Sequence, residues 1–355
     1  MSKSHPLKKQ SLHTKVIKRI EEISPDEFNS IYPKVPEGYY FLKTLDESNF
    51  DQYSFYYILV YNSEELVGIA PCFTKIYKIL ANLLTIKALI CGIPMGQGQI
   101  ANPPYSFDIV EAIVKRMEAL ALKLHSPIIA FKDFDQSYDD LFSPLLKDNF
   151  LKINGLPMTS LALDFIDFED YLKILSGATR HDLRRKLKKS ASVPIELDII
   201  YELDEITLPE AYALYLNSLE QHGQRSQTVP QDFFRLISTN IPDRSRYFLF
   251  RINGKLAAFV FCLILDDVLI DYYLGFDYTL AHEYHLYFLK FKEIFEWGLK
   301  NGIKTYEMGQ MGYEPKRRLK FNLVAVYSYI KSQNKFLQLF IKIFKFYTNI
   351  IRRPH

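Results

Sequence analysis

Residues 247–275 read YFLFRINGKLAAFVFCLILDDVLIDYYLG. Two runs of β-forming residues, 247–252 and 256–265, flank Asn253-Gly254, and Asn-Gly between such runs is the strongest short hairpin signal because both residues accept positive φ. Asp266-Asp267 then turns the chain into a third strand, 268–275. Beyond it the apolar spacing predicts a long helix over 282–300, stopped by Asn301-Gly302, and a strand at 303–308.

The order hairpin, strand, helix, strand also occurs upstream. Runs 53–61 and 66–75 flank the turn Asn62-Ser63-Glu64-Glu65, and an apolar segment covers 83–93. Gly92, Pro94, Gly96 and Gly98 make a loop lasting to Pro104. Ile109, Ala112, Ile113, Met117, Leu120, Ala121 and Leu124 predict a helix over 108–125, and 128–132 a strand. A short helix at 138–148 and a strand at 159–164 follow. Between the copies come helices at 168–189, 208–222 and 231–239 and a strand at 195–200. The two copies, 53–132 and 247–308, show no residue-level repeat, so the duplication is one of pattern. The fold class is α/β with mixed sheets.

At 355 residues the chain is long enough for two compact units. With 48% hydrophobic and 24% charged residues it is not a disordered chain. Its 44 Lys+Arg nearly balance 41 Asp+Glu, so no global field argues for nucleic acid and DNA is not an expected partner. Cys72, Cys91 and Cys262 sit in apolar stretches with no CxxC pair, which suits a reducing compartment. Residues 1–22 have no apolar core of a secretory signal. The run 79–95 is broken by Asn82, Thr85 and Lys87 and is not a membrane span. A cytoplasmic protein is expected.

An ordered series of motifs adds a family. Tyr171-Leu172-Lys173-Ile174-Leu175-Ser176 leads into Arg180-His181-Asp182-Leu183-Arg184-Arg185-Lys186-Leu187-Lys188-Lys189. Tyr272-Tyr273-Leu274-Gly275 and Trp297-Gly298-Leu299-Lys300-Asn301-Gly302 come next. Tyr306-Glu307-Met308-Gly309 and Lys316-Arg317-Arg318-Leu319-Lys320-Phe321 close the series. The chain resembles the Fem-type, GNAT-like acyltransferases of bacteria, which include peptidoglycan-bridge aminoacyltransferases of the cell envelope and BioF-type acetyltransferase domains. The resemblance is strongest over 168–325. It implies two tandem GNAT-like (acyl-CoA N-acyltransferase) units side by side: 1–165, with a flexible start of about 15 residues, and 166–330, carrying the active site. It also implies no bound cofactor and acyl-CoA as co-substrate, the acyl group (acetyl or longer) passing to an amine of a small molecule or peptidoglycan precursor. An aminoacyl-tRNA donor, and a non-catalytic module binding an anion or lipid, are the alternatives. One departure is the absence of an acetyl-CoA loop between Asp277 and Tyr284.

In such a unit the central strands splay, the donor lies in the gap, and its anionic groups meet N–H groups opening the next helix. That helix start makes His282 and Glu283 donor-binding candidates. Arg180, Arg184 and Lys188 share a helix face at i, i+4, i+8, a suitable fork for carboxylate or phosphate, although a solvated basic face has the same pattern. Arg317 is a further anion-binding candidate. The family pattern makes Lys316 an oxyanion stabiliser; a basic surface turn is the plain reading. Glu307 could take a proton from an attacking amine, or form a structural ion pair. Tyr273 could protonate a leaving group, or be a buried hydrogen-bonded tyrosine. His285 could be a base, or simply pack. His282, His285 and a nearby Glu lack the third partner a metal needs, so none is expected.

Residues 331–355 carry six Lys/Arg and no acid. Phe336, Leu337, Leu339, Phe340, Ile343, Phe344, Tyr347 and Ile351 make an apolar stripe at near-helical spacing. It predicts a tail helix that docks on the body or attaches peripherally to an anionic membrane.

Overall fold

The computed structural model is described over residues 12–79, 84–223 and 228–351. The chain divides into two compact units: Met1–Asp46, Phe50–Leu156 and Ala325–His355 form the first, and Glu47–Asn49 with Pro157–Val324 the second. Among the described residues the first unit contributes β1 (Leu12–Ile17), β2 (Tyr53–Asn62), β3 (Glu65–Ile79), β4 (Leu84–Cys91), β5 (Ile128–Asp135) and β6 (Leu151–Asn154). The second holds β7 (Met158–Ala162), β8 (Ile195–Ile200), β9 (Ser245–Ile252), β10 (Lys255–Leu265), β11 (Val268–Phe276), β12 (Thr305–Glu307) and β13 (Asn322–Val324). The chain then returns to the first unit as β14 (Val326–Ser332).

Each unit builds one seven-stranded mixed sheet, ordered β1-β2-β3-β4-β5-β14-β6 and β13-β7-β12-β11-β10-β9-β8. The Asn253-Gly254 hairpin forms as its sequence predicts, with φ of 51° and 75° at the two residues. The duplicated order is visible in both sheets. Strands β4 and β5 pair in parallel, as do β11 and β12, and a helix joins each pair: Phe107–Lys123 in the first unit and Leu286–Lys300 in the second. A parallel pair needs such a crossover.

The boundaries differ from those the sequence predicts. They fall at 156/157 and 324/325, not at 165/166 and 330/331, because two strands cross over. The strand expected at 159–164 is β7, which pairs with β12 and β13 of the second sheet. Strand β14, which local pattern did not single out, lies between β5 and β6 of the first. The expected flexible start is corrected from Leu12 onward, where β1 pairs with β2; residues 1–11 lie outside the described residues. The helix expected over 168–189 is two, Phe168–Ile174 and Gly177–Ser190, the second capped by the Ser176 hydroxyl accepting from the Thr179 N–H.

The first core lies where the helix Phe107–Lys123 covers its sheet, around Ile109, Ile113, Met117, Phe131 and Phe142. The second gathers Phe291 and Phe295 of the crossover helix with Tyr171, Leu183, Phe248 and Tyr306. On the other face of the second sheet, helix Thr207–Gln221 lies against β11 so closely that a Cβ on Gly275 would come within 2.6 Å of the Tyr215 nitrogen. Among the described residues no helix is long and apolar enough to cross a membrane.

Candidate active site

In the second sheet the parallel pairing of β11 with β12 is brief. Val268, Leu269 and Ile270 face Thr305, Tyr306 and Glu307, and there it stops while β11 runs on to Phe276. Just past the last pair, β11 also bulges. Cys262 of β10 pairs with Asp271 and Phe261 with Tyr273, leaving Tyr272 as the extra residue. The two strands part at this fork.

The bulge corrects a simple reading of the strand. Strict alternation would place Asp271 and Tyr273 on one face, but the extra residue reverses the parity between them. Asp271 meets the crossover helix, where its carboxylate accepts from Lys290 Nζ. Tyr273 packs on the opposite side against Tyr215, Phe233 and Phe234.

The Asp271–Lys290 pair is the most buried ion pair among the described residues, with side chains 4% and 0% exposed. Tyr306, fully buried, places its hydroxyl 3.4 Å from the same Asp271 oxygen, and burial first, then the Asp271 charge, pushes its proton affinity up. The Tyr287 ring lies 5.2 Å from Lys290 Nζ. Isolating either charge here would be costly, so each fixes the other.

Lys316 is 5% exposed. Its helix, Tyr313–Arg318, starts after a turn in which Gly309, Met311 and Gly312 all have positive φ. The ammonium donates to the carbonyl oxygens of Met308, Gly309 (3.2 Å) and Gln310 (3.4 Å). Burial is the main cause that lowers its pKa to about 8; Asp271 opposes that shift and Lys290 adds to it. Lys316 is therefore not the surface turn residue of the plain reading. Equally, its three N–H groups already face backbone, and an oxyanion would have to replace one carbonyl, the Gln310 contact being the longest.

Glu307 closes β12 and pairs with Ile270 on the face opposite Tyr306. It is half-buried, and among the described residues no hydrogen bond or ion pair reaches its carboxylate. Burial raises its pKa above the ordinary 4.5. Of the predicted candidates, Glu307 and Lys316 flank the segment leaving the fork, with Asp271 within electrostatic reach of Lys316.

The donor end departs from expectation. The helix after β11 is broken: Tyr278–Glu283 and Leu286–Lys300 are separated at His285, which adopts a left-handed φ of 51°. The Asp277 carboxylate already accepts from the N–H groups of Thr279 and Leu280, at 3.1 and 3.2 Å, so the first amides are capped rather than open to a donor. His282 and Glu283 are exposed. His285 is half-buried, and its pKa is lowered by burial and then by Lys186 and Arg185.

The basic helix Gly177–Ser190 is likewise rotated from the predicted use. Arg184 pairs with Glu169 at 2.5 Å, and Lys188 and Arg317 are exposed, while Arg180 is half-buried. The side chains that approach the helix break are others: Lys186 lies 3.9 Å from the Phe288 ring centroid and Lys189 5.5 Å from that of Tyr284. Among the described residues no group of three or more His, Cys, Asp or Glu is arranged to hold a metal ion.

Lys290 and Tyr306 were missed as candidates. Lys290 reads as one lysine of Lys290-Phe291-Lys292, and a helical position against the apolar stripe was its only signal.

Residues 177–317 match the family model described as Acetyltransferase (GNAT) domain, a span that contains Asp271, Lys290, Glu307 and Lys316. The fold is similar to the crystal structure of FemX, at 11% identity and a TM-score of 0.59, over 90% of this chain and 98% of that one. It is similar also to the C-terminal domain of a putative lysylphosphatidylglycerol synthetase from Agrobacterium fabrum, at 10% identity and 0.56, covering 90% and 94%. A tandem GNAT protein from the clavulanic acid biosynthesis pathway aligns at 11% identity and 0.52, over 91% and 99%. No curated protein matches the chain in sequence. The resemblance to Fem-type and GNAT-like proteins drawn from the motifs is borne out: the second unit matches the GNAT domain model, and the fold is that of the tandem GNAT-like neighbours.

Proposed function

We propose that the chain is an N-acyltransferase that passes an acyl group, acetyl or longer, from CoA to an amine, with the reaction at the fork of β11 and β12. The observation that carries this reading is Glu307: a half-buried carboxylate with no hydrogen-bond or ion-pair partner among the described residues, its pKa raised, where the parallel pairing ends inside the matched domain. A general base needs a proton affinity nearer neutrality and a free lone pair, and Glu307 has both.

In this mechanism the amine attacks the donor carbonyl and Glu307 takes its proton. The oxyanion is met by Lys316, released from the Gln310 carbonyl; collapse re-forms the carbonyl and breaks the C–S bond, and the CoA thiolate takes up the proton held by Glu307, which returns to its carboxylate form. Most of the acceleration comes from orientation and preset charge. The buried Asp271–Lys290 pair acts as a positioning element, holding the fork and the field around Lys316. Tyr273, stacked among aromatic rings, and His285, beside cationic neighbours, serve packing and helix geometry. Lys189, beside Tyr284 at the helix break, is then the cation for the donor, Arg185 and Lys186 being paired with Asp182 and Arg184 with Glu169. The acceptor is a small molecule or a peptidoglycan-precursor-like amine, the site of action the cytoplasm, and 331–355 the part of the chain that would meet a membrane.

A second reading keeps the chemistry and changes the donor to an aminoacyl-tRNA. The Asp277 cap favours it, because that carboxylate occupies amides a CoA pyrophosphate would otherwise use. The test is incubation with a series of acyl-CoA donors and amines, following free thiol and thermal midpoint together. Acceptor-dependent thiol release that falls about 100- to 10,000-fold in Glu307→Gln, with the fold intact, is expected. No release and no thermal shift with any CoA would discard the CoA donor. Full turnover in Glu307→Gln would remove that residue as base.

A further inference from the structure

Among the described residues the helix Lys335–Ile351 is held to the first unit by the side that carries Leu337, Gln338 and Ile341. Its start is capped by Asn334, whose side-chain oxygen accepts from the N–H groups of Phe336 and Leu337. Gln338 fastens it beside β14 and β6, accepting from the Ser332 N–H and donating to the Asn149 carbonyl at 2.7 Å each. Leu337 and Ile341, one turn apart, are half-buried on that side. The other side is apolar as well, and its described residues are open: Phe336, Leu339, Phe340 and Ile343 are 79%, 56%, 69% and 45% exposed. Their spacing of i, i+3, i+4, i+7 places all four within an arc of about 100°. Lys335 and Lys342 lie along one edge of this arc, and both are exposed.

An apolar face of this kind is set against another body. Charge identifies which. Lys331 is engaged by Glu118 and Asp148 in the first unit, but residues 335–355 contain five further Lys/Arg and no Asp or Glu, so the surface the helix meets is anionic. At about 1.5 Å per residue the helix is about 25 Å long, short of a hydrocarbon layer of about 30 Å. It therefore suits lying in an interface, with its apolar arc inward and its lysines at the headgroups. We propose that this face attaches the protein peripherally to an anionic lipid bilayer. The attachment does not depend on acyl transfer and can fail or hold without it.

The test is flotation of the full chain with phosphatidylcholine vesicles, with and without about 30% phosphatidylglycerol. Binding to the anionic vesicles only, weakened several-fold between low and physiological salt, is expected. Phe336→Ser with Phe340→Ser should reduce binding at least tenfold without moving the thermal midpoint. Lys335→Gln with Lys342→Gln should reduce it about tenfold or more, since each cation near such a surface contributes about fivefold. Leu122→Ser, at a site 67% exposed on another helix of the same unit, should leave it unchanged. Equal binding to neutral vesicles, no binding, or undiminished binding by the Phe336/Phe340 variant would each overturn the proposal. So would a dimer abolished by the same two substitutions in a protein that ignores vesicles, which would assign the face to a second copy.

Discussion

The two sheets share an order and a parallel pair, yet the places where those pairs end are furnished differently. In the first unit, β4 leaves β5 after Cys91 and Phe131, and the chain's own backbone takes up the space. Gly92 N–H donates to the Pro71 carbonyl at 2.8 Å, Gly98 N–H to that of Asp133 at 3.0 Å, and Ala101 exchanges both main-chain bonds with Ile69. A Cβ on Gly98 would lie 2.2 Å from the Lys132 carbonyl oxygen, so only glycine fits. In the second unit the groups gathered where the strands part are Asp271, Lys290, Tyr306 and Glu307. One fork is filled by main chain, with the Lys132–Asp133 pair beside it; the other holds the Asp271–Lys290 pair, Tyr306 and Glu307. Duplicated architecture allows two copies of one element order to be furnished differently.

The comparison is sharpest at the buried pair. Lys290→Met or Asp271→Asn strands a charge in a site at most 4% exposed, and a loss of about 3–5 kcal/mol is expected in urea unfolding. The joint change Asp271→Leu with Lys290→Met should recover much of it. A single variant within about 1 kcal/mol of the parent would mean that the second fork is wet and the contrast mistaken.

Lys316 gives the second unit a pH signature of its own. Its folded pKa, about 8, lies below the ordinary 10.5, so between those values the unfolded chain binds more protons. Stability should therefore rise with pH across that window, by up to about 3 kcal/mol. The penalty is fully present below pH 8. Lys316→Met should flatten this rise, which denaturation at pH 7.5 and 10 will measure. Turnover that uses the charged form should fall as pH climbs through about 8.

The smallest effect belongs to the filled fork. Gly98→Ala should cost about 1–3 kcal/mol through the clash with Lys132 and Phe134, with no change in CoA-dependent thiol release per folded molecule. A change in that release would tie the first fork to the chemistry.

Much of the fold was legible because it is written locally. Asn253-Gly254 fixes a hairpin, and the apolar period of 109–124 fixes a helix. Glu307 and Lys316 were legible too, from motif order. What escaped is set by packing. A one-residue bulge at Tyr272 leaves no mark in composition, although it decides which face Asp271 takes. Lys290 and Lys292 are alike in sequence, and only the first turns into the core, 0% exposed. The Asp277 cap was readable as an acidic residue before a helix. Strand β14 finds β5 across about 190 residues, a pairing no local window contains.

That long-range pairing inverts the timetable of synthesis. As the ribosome delivers the chain, β5 and β6 emerge early but cannot be bridged until Val326–Ser332 has been made. The second unit, continuous apart from Glu47–Asn49, has all its strands by Val324. The half translated first is thus completed last, and until then its unpaired edges are exposed to aggregation.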